Sequence, residues 1–144
     1  MTQYSPYTMH QRAARTFRHG RLLLAGDTAH ITNPIGGLGL TSGLFDSYVL
    51  SEALAAVLAG TVEDTVLDEY STQRRQVFLD YASPRASAFK TLVFNSTDRT
   101  ELDKTLGMLR AAAADPATAL EALRVSQPCR TPSLVDQPAA ATGA

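Results

Sequence analysis

Residues 20–47, GRLLLAGDTAHITNPIGGLGLTSGLFDS, are the stretch that decides the fold of this chain. A short apolar run over residues 21–25 stops at Gly26 and Asp27. A loop with a histidine, a proline and three glycines follows, and apolar residues at helical spacing begin only near Leu40. A turn with a purely structural role needs one or two such residues. The whole set, in this order, therefore predicts a ligand-binding loop between a strand and a helix.

The elements on either side of this loop differ in length. The run RLLLA, residues 21–25, is typical of a short buried strand that is covered on both faces, as in a parallel sheet. The first helix is predicted over residues 40–59, where apolar side chains recur mostly at spacings of three and four. Gly60 is placed to end it.

Three more helices are predicted further along the chain. The second begins after Asp64, a favourable N-cap, and is ended or kinked by Pro84. The third follows Asp98, in a capping-box arrangement with Glu101, and Asp115 followed by a proline opens the fourth. The fold class is thus predicted to be a mostly helical α/β fragment with three to four helices.

The apolar stripes of these helices predict which side chains form the core. Tyr48, Tyr70 and Tyr81 lie within the stripes and are predicted to be core residues. Arg74 and Arg75 are predicted on or beside the polar side of the second helix.

Composition and charge exclude several classes of protein. Hydrophobic residues make up 44% and charged residues 19% of the 144 residues, as in globular proteins. The net charge of −1 gives no reason to expect a nucleic acid or an anionic membrane as partner. The chain has one cysteine, Cys129, and its longest apolar run is far below the ~20 residues of a membrane span. These features predict a cytoplasmic globular protein without membrane or nucleic-acid partners.

The loop residues suit a ligand with hydroxyl groups and an electron-rich, partly anionic head. Asp27 directly follows the strand and presents a carboxylate that accepts hydrogen bonds from a polyol. Gly36, Gly37 and Gly39 have no Cβ, so the backbone there can approach a flat group closely. The helix that starts near Leu40 directs unpaired N–H groups and its positive dipole end into the same space.

Other interpretations of these residues have less support. Any one of them, taken alone, is more often part of a structural turn. Gly37, Gly39 and Gly43 imitate a dinucleotide fingerprint, but no second strand follows the helix, so a nicotinamide-dependent reductase is the weakest hypothesis. Asp27 and His30 lack a third metal ligand nearby, and we predict no metal and a packed or hydrogen-bonded histidine.

The stretch resembles the flavin-binding signature of the class A FAD-dependent aromatic hydroxylases, the flavoprotein monooxygenase family typified by p-hydroxybenzoate hydroxylase. That signature reads Gly-Arg, three apolar residues, Ala-Gly-Asp-Ala-Ala-His, then Pro, then Gly-Gly-x-Gly-(Leu/Met)-Asn, then Gly and Asp on a helix. Here residues 20–30 read GRLLLAGDTAH, Pro34 follows, residues 36–41 read GGLGLT, and Gly43 and Asp46 complete the match. The departure is the threonine that ends GGLGLT, where the family usually has Asn.

The resemblance implies roles for the loop residues. Asp27 would bind the ribityl chain of FAD, and Pro34 would lie beside the isoalloxazine ring. Backbone N–H groups of residues 38–41 would reach the N1–O2 edge of the flavin, where a helix dipole favours the anionic reduced form. No side chain of the chain is implied to be catalytic. The implied cofactor-binding residues are Gly26, Asp27, Pro34, Gly36, Gly37, Leu38, Gly39, Leu40 and Thr41.

The resemblance also implies that parts of such an enzyme are missing. Neither the G-x-G-x-x-G for the ADP half of FAD nor the Asp-Gly motif near its pyrophosphate occurs. We therefore expect residues 1–94 to be the C-terminal part of an FAD-binding monooxygenase domain, with its flavin loop at 26–41. Residues 95–125 would be a helical extension, and residues 126–144, rich in Pro, Ala and Thr, a mobile tail with little to bury.

Two functional hypotheses follow. The first is the flavin-ring-binding part of an FAD-dependent monooxygenase that hydroxylates an aromatic or polyketide-like substrate with NAD(P)H and oxygen, incomplete by itself. The alternative is a truncated non-catalytic remnant or an interaction module that needs a separate N-terminal chain. Both hypotheses imply a complementary N-terminal chain or self-association. A single covered strand needs neighbouring strands in a sheet. Apolar surface that stays exposed promotes association.

Overall fold

The computed structural model describes residues 5, 8–94 and 97–136. In these ranges the chain is mostly helical, as predicted, and its strands are only two residues long. No helix among the described residues is long and apolar enough to cross a membrane. The strands are β1 (Arg12–Ala13), β2 (Arg18–His19), β3 (Leu22–Leu23) and β4 (His30–Ile31). The α-helices are α1 (Leu38–Leu58), α2 (Val66–Val77), α3 (Ser83–Phe94), α4 (Arg99–Ala114) and α5 (Pro116–Leu123).

The strands form two small antiparallel ribbons instead of a parallel sheet. In one ribbon β1 pairs with β4, and in the other β2 pairs with β3, with Arg18 opposite Leu23. The prediction of a buried strand over 21–25 is therefore wrong in extent and pairing, and Leu22 is 62% exposed. Within the part of the chain that the structure describes, β2 is the sole hydrogen-bonded neighbour of β3. A strand covered on both faces needs more neighbours than this.

Helix α1 begins and ends at glycines with left-handed backbone. Gly37 precedes the helix with φ +64°, and Gly60 follows it with φ +69°. At the end, the N–H of Gly60 donates to Val57 O and the N–H of Thr61 donates to Ala56 O, which is a Schellman motif. The predicted helix over 40–59 is thus confirmed to within two residues.

Helices α2 and α3 are joined by a π-helical turn, Phe78–Ala82. Pro84 is the second residue of α3 and has no N–H to donate to the carbonyl of Asp80, which lies in this turn. The second helix thus ends at Val77, before the predicted break at Pro84, and Pro84 itself lies in the first turn of α3. Asp64 is not the N-cap of α2, because Thr65 takes that place and the Asp64 carboxylate pairs with Arg18 at 2.7 Å.

Helices α4 and α5 begin where aspartates cap them. The Asp98 carboxylate accepts from the N–H groups of Thr100 and Glu101, and the Asp115 carboxylate accepts from the N–H of Thr118. These caps confirm both predicted helix starts. Neither helix contains a buried residue.

The core lies where α1 packs against α2, the strand ribbons and the π-helical turn. One cluster of buried residues joins Phe17, Ala29, Val49 and Tyr70, which confirms Tyr70 as core. Tyr48 is 64% exposed, so its predicted place in the core is wrong. Helical spacing alone does not say which face of α1 is covered. A second cluster consists of Leu38, Phe78, Ala82 and Cys129.

The segment after α5 differs from the predicted mobile tail over residues 126–136. Its Gln127–Cys129 stretch forms a 3₁₀ turn, and Cys129 is fully buried in the core cluster. Leu134 packs against the Phe17 cluster and against a third buried cluster of Ala53, Val66 and Leu67. The segment is held because its few apolar side chains and its backbone carbonyls find partners on α1 and α2. Residues 137–144 lie outside the described residues.

Candidate functional site

The loop begins with a tight turn on the surface of α1. Gly26 has φ +57° and opens the 3₁₀ turn Gly26–Thr28. A Cβ added at Gly43 of α1 would lie 3.0 Å from the Cα of Gly26. A side chain at position 43 would push the turn away from the helix, so glycine favours this close approach.

Asp27 is placed at the exposed top of this turn. Its carboxylate has no hydrogen-bond or ion-pair partner among the residues that the structure describes. It follows the left-handed Gly26 directly, and the Thr28 hydroxyl donates to Ala25 O across the turn. Asp27 is thus a free hydrogen-bond acceptor on a turn whose backbone is fixed.

The second part of the loop is the 3₁₀ turn Pro34–Gly36. The Asn33 side chain caps this turn by accepting from the N–H of Ile35 at 3.2 Å. Gly36 then packs against α3, because a Cβ there would lie 2.8 Å from the Cα of Ala86. Pro34 is exposed, so a bound ring system can reach it.

The loop ends at the N-terminus of α1. A Cβ added at Gly37 would meet no atom within 4 Å, so open space adjoins the backbone at this point. The N–H groups of residues 38–40 have no partner within the helix and carry its positive dipole end, and the N–H of Thr41 makes the first bond of the helix, to the carbonyl of its N-cap Gly37. Leu38 anchors this end in the core at 2% exposure, whereas Leu40 is 76% exposed. Gly39 and Thr41 are half-buried.

A buried charged cluster lies directly beneath the loop. The Asp46 carboxylate of α1 accepts from the N–H of Gly26 at 3.1 Å, from His30 Nε2 at 2.6 Å and from Arg74 Nε at 2.8 Å. The side chains of Asp46, His30 and Arg74 are all fully buried. Burial disfavours the charged carboxylate, but the hydrogen bonds from His30 and Arg74 outweigh it and hold the pKa of Asp46 below its usual value.

Residues of α2 and of the C-terminal segment make further hydrogen bonds around this cluster. Arg74 Nη1 donates to the carbonyl of Cys129 at 2.8 Å. The hydroxyl of Tyr70 donates to Leu24 O at 2.7 Å, and burial, with the nearby charge of Asp46, raises the pKa of this phenol. Burial likewise raises the pKa of the Cys129 thiol. Arg74 therefore connects the Asp46 carboxylate, beneath the loop, to the segment that follows α5.

The roles of Arg74 and Asp46 in this cluster were not predicted from the sequence. Arg74 was predicted on or beside the polar side of α2, and the structure places it at 0% exposure. A signal exists in the spacing, because Arg74 falls on the same helical stripe as the buried residues Leu67, Tyr70 and Phe78. An arginine within an apolar stripe indicates a buried partner, here Asp46.

His30 is packed and hydrogen-bonded, as predicted. Its ring stacks on Phe78 with centroids 4.4 Å apart, and its Nε2 faces Asp46 and not Asp27. Within residues 5, 8–94 and 97–136, no three His, Cys, Asp or Glu side chains are grouped to hold a metal ion.

Beside the loop, α1 presents an exposed apolar stripe. Leu40, Leu44 and Tyr48 follow one another at intervals of four residues and are 76%, 63% and 64% exposed. Tyr48 also lines a groove of about 890 Å³ between α1 and the C-terminal segment, together with Glu52 and Arg130. The stripe thus begins at Leu40, at the end of the loop, and extends along α1 to Tyr48.

Comparisons with known proteins relate the chain to FAD-binding proteins. A family model described as "FAD binding domain" matches residues 1–82. Over 84 residues the chain is 55% identical to para-nitrophenol 4-monooxygenase from Pseudomonas sp. (strain WBC-3), a match that covers 58% of this chain and 21% of that protein. Over 77 residues it is 46% identical to a putative polyketide hydroxylase from Streptomyces coelicolor (strain ATCC BAA-471 / A3(2) / M145), covering 54% of this chain and 12% of that protein.

A solved structure is similar over most of the described fold. It is the crystal structure of p-nitrophenol 4-monooxygenase PnpA from Pseudomonas putida DLL-E4, with a TM-score of 0.79 and 44% identity. The match covers 87% of this chain and 32% of that chain. The present chain thus spans about a third of the solved relative and about a fifth of the first curated one.

Proposed function

The chain belongs to the FAD binding domain family, and from this membership we propose that it forms the flavin-ring-binding, C-terminal part of a class A FAD-dependent aromatic hydroxylase. FAD is the cofactor that was predicted and that the family match supports. The observation that carries the proposal is the Asp27 carboxylate. It is exposed and has no partner among the described side chains, at the start of a loop that ends at a helix N-terminus.

The residues of the loop fit a flavin in three respects. Asp27 offers a free acceptor for the ribityl hydroxyls. Gly37 and Gly39 keep side chains off the backbone that a flat ring would approach, and Gly26 and Gly36 let the loop pack closely on α1 and α3. Open space adjoins Gly37, and a backbone without a Cβ there leaves room for a ligand.

The remaining loop residues are proposed to orient the ring. Pro34 is exposed and would lie beside the isoalloxazine. The free N–H groups of Leu38, Gly39 and Leu40, next to Thr41, would donate to its N1–O2 edge, where the dipole of α1 favours negative charge. When bound and reduced, the flavin supplies the activation of oxygen for hydroxylation, and the protein supplies binding and orientation.

The substrate is proposed to be an aromatic or polyketide-like molecule, with NAD(P)H as the reductant. The names of the relatives support this class, since they are a para-nitrophenol monooxygenase and a putative polyketide hydroxylase. No described side chain of the loop is proposed as a catalytic acid or base. The chemistry would reside in the cofactor.

We propose that the chain acts together with a complementary polypeptide or with further copies of itself. The match to the solved relative covers 32% of that chain, so most of the relative lies outside it. The exposed stripe of Leu40, Leu44 and Tyr48 adjoins the loop, and apolar stripes of this kind are typical of association surfaces. The same stripe favours the second candidate function, a non-catalytic interaction module.

The experiment that tests the proposal is a visible absorption spectrum of the purified chain after FAD is added and free flavin is removed by desalting. We expect a retained flavin spectrum with an altered shape relative to free FAD. The Asp27→Ala variant should retain much less flavin than wild type, because the ribityl acceptor is lost.

His10→Ala changes an exposed residue before β1 and should retain flavin like wild type. If the folded wild-type chain retains no flavin, the chain alone is not a flavin-binding module. The non-catalytic candidate then takes its place.

A further inference from the structure

We propose that Asp46 is the positioning residue of the flavin loop: its buried carboxylate holds the turn on both sides of Asp27 and so fixes the place of the Asp27 carboxylate. The identity of the ligand rests on the proposed function. The contacts by which Asp46 holds the turn are present in the chain without any ligand.

One oxygen of Asp46 contacts both ends of the turn. Asp46 Oδ2 accepts from the N–H of Gly26 at 3.1 Å and from His30 Nε2 at 2.6 Å. Gly26 immediately precedes Asp27, and His30 lies three residues after it. The exposed Asp27 is therefore the middle of a short segment whose two ends are tied to one buried atom.

Helix α1 also approaches the same turn closely. Gly43 and Asp46 are three residues apart on α1 and so share a face of the helix. A Cβ at Gly43 would lie 3.0 Å from the Cα of Gly26, while Asp46 accepts the N–H of that same glycine. The helix thus holds Gly26 by direct backbone contact and by a hydrogen bond.

Asp46 itself is held from the opposite side. Its Oδ1 accepts from Arg74 Nε at 2.8 Å, and Arg74 Nη1 donates to Cys129 O at 2.8 Å. Cys129 lies outside residues 1–82, which match the family model. The support of the loop therefore includes a segment beyond the matched domain.

These contacts require a carboxylate and not only a polar side chain. Asp46 has two acceptor oxygens, one facing Arg74 and the other facing the two loop donors. An asparagine has one acceptor oxygen, and its NH₂ group would face donors in place of an acceptor. Asp46→Asn keeps the size of the side chain and removes the contacts to the turn or to Arg74.

The test compares Asp46→Asn with Asp68→Asn, a matched aspartate of α2 that is exposed and pairs with Arg18 at 3.0 Å. Amide hydrogen exchange over residues 26–31 is measured in the ligand-free chain. Reaction of the single cysteine, Cys129, with a thiol reagent reports whether the fold stays closed. We expect the amide exchange rate over residues 26–31 to rise about tenfold or more in Asp46→Asn, because a hydrogen bond to a charged carboxylate is lost. Cys129 should stay protected from the thiol reagent. Asp68→Asn should leave both unchanged.

The second readout is the dissociation constant for FAD and the absorption shape of the bound flavin. Asp46→Asn should weaken FAD binding about tenfold or more and shift the absorption of bound flavin toward that of free FAD. Unchanged exchange and unchanged FAD binding in a folded Asp46→Asn chain would overturn the inference. Failure of wild type to bind FAD would refute the proposed function, and the exchange measurement would still decide whether Asp46 holds the turn.

A further variant covers the case in which Asp46→Asn does not fold. His30→Phe keeps an aromatic ring stacked on Phe78 and removes only the donor to Asp46. We expect faster exchange over residues 26–31 in this variant than in wild type. An exchange rate equal to that of wild type would show that the contact between Asp46 and His30 does not hold the His30 end of the turn.

Discussion

Gly36 packs so closely against Ala86 that a Cβ at position 36 would lie 2.8 Å from the Cα of Ala86. Since the contacting atom belongs to the backbone of α3, an added methyl group must displace the loop or the helix. Gly36→Ala is expected to lower the free energy of unfolding by about 1–3 kcal/mol, measured by urea denaturation.

Gly107→Ala is the matched control for this substitution. Gly107 lies within α4, and a Cβ there would meet no atom within 4 Å. Alanine in place of glycine in a helix is expected to raise the free energy of unfolding by about 0.5–1 kcal/mol. A Gly36→Ala chain as stable as wild type would contradict the close packing of the loop on α3.

The second prediction concerns the buried pair of Asp46 and Arg74. Arg74→Met leaves the buried carboxylate without its cation and is expected to cost about 3–5 kcal/mol of unfolding free energy. Arg75→Met, the neighbouring substitution, removes a hydrogen bond from a half-buried side chain to Ala14 O and should cost about 1 kcal/mol.

A double variant separates charge from packing at this pair. Adding Asp46→Asn to Arg74→Met removes the unpaired charge and should recover part of the lost stability. A double variant less stable than Arg74→Met alone would contradict this account.

The third prediction is a pH dependence of stability. Asp46 has a folded-state pKa below its ordinary value of 3.8, which the unfolded chain retains. The folded state therefore gains stability above about pH 4, and this gain is lost as the pH falls through the folded pKa. The groups that contact the carboxylate are His30, Arg74 and the N–H of Gly26.

Urea denaturation of wild type and Asp46→Asn between pH 6 and pH 3 checks this prediction. The difference in unfolding free energy between the two chains should shrink as the pH falls, because the amide that replaces the carboxylate in the variant does not titrate. A difference that stays constant over this range would show that Asp46 does not contribute through its charge.

The fourth prediction concerns Asp27. Asp27→Ala removes the exposed carboxylate and is expected to raise the dissociation constant for FAD about tenfold or more, measured by fluorescence titration. His10→Ala should leave that constant unchanged. Equal constants for both variants would refute the assignment of Asp27 to the ribityl chain.

The fifth prediction distinguishes the forms of the flavin. The loop is proposed to contact the ring and the ribityl chain, and the sequence holds no G-x-G-x-x-G for the ADP half. Riboflavin and FAD should therefore bind with similar dissociation constants in the same titration. A much tighter FAD complex would indicate that this chain also contacts the ADP half.

The sequence predicted those parts of the fold whose cause is local. Gly37 and Gly60 favour left-handed backbone on their own, so the ends of α1 lie within two residues of the prediction. Asp98 and Asp115 cap helices through N–H groups two or three residues away, and these helix starts were also predicted. The segment between β3 and α1 was predicted as a loop by the same kind of signal, but His30 and Ile31 within it form β4, whose pairing with the distant β1 was not predicted.

The sequence did not predict those parts whose cause is distant along the chain. Asp46 and Arg74 are 28 residues apart, and each, taken alone, is typical of an exposed helix face. Strand pairing is equally non-local, so the run at 21–25 was assigned to a parallel sheet while Leu22 and Leu23 pair with β2. The burial of Cys129 likewise depends on contacts with the distant Leu38 and Phe78.

One oxygen atom, Asp46 Oδ2, receives hydrogen bonds from both Gly26 and His30. The number of residues between those two donors is therefore set by the distance that the backbone must span. An inserted or deleted residue in this segment would carry the imidazole away from the carboxylate, whatever its side chain. Homologous chains that keep both contacts should vary here by substitution and not in length.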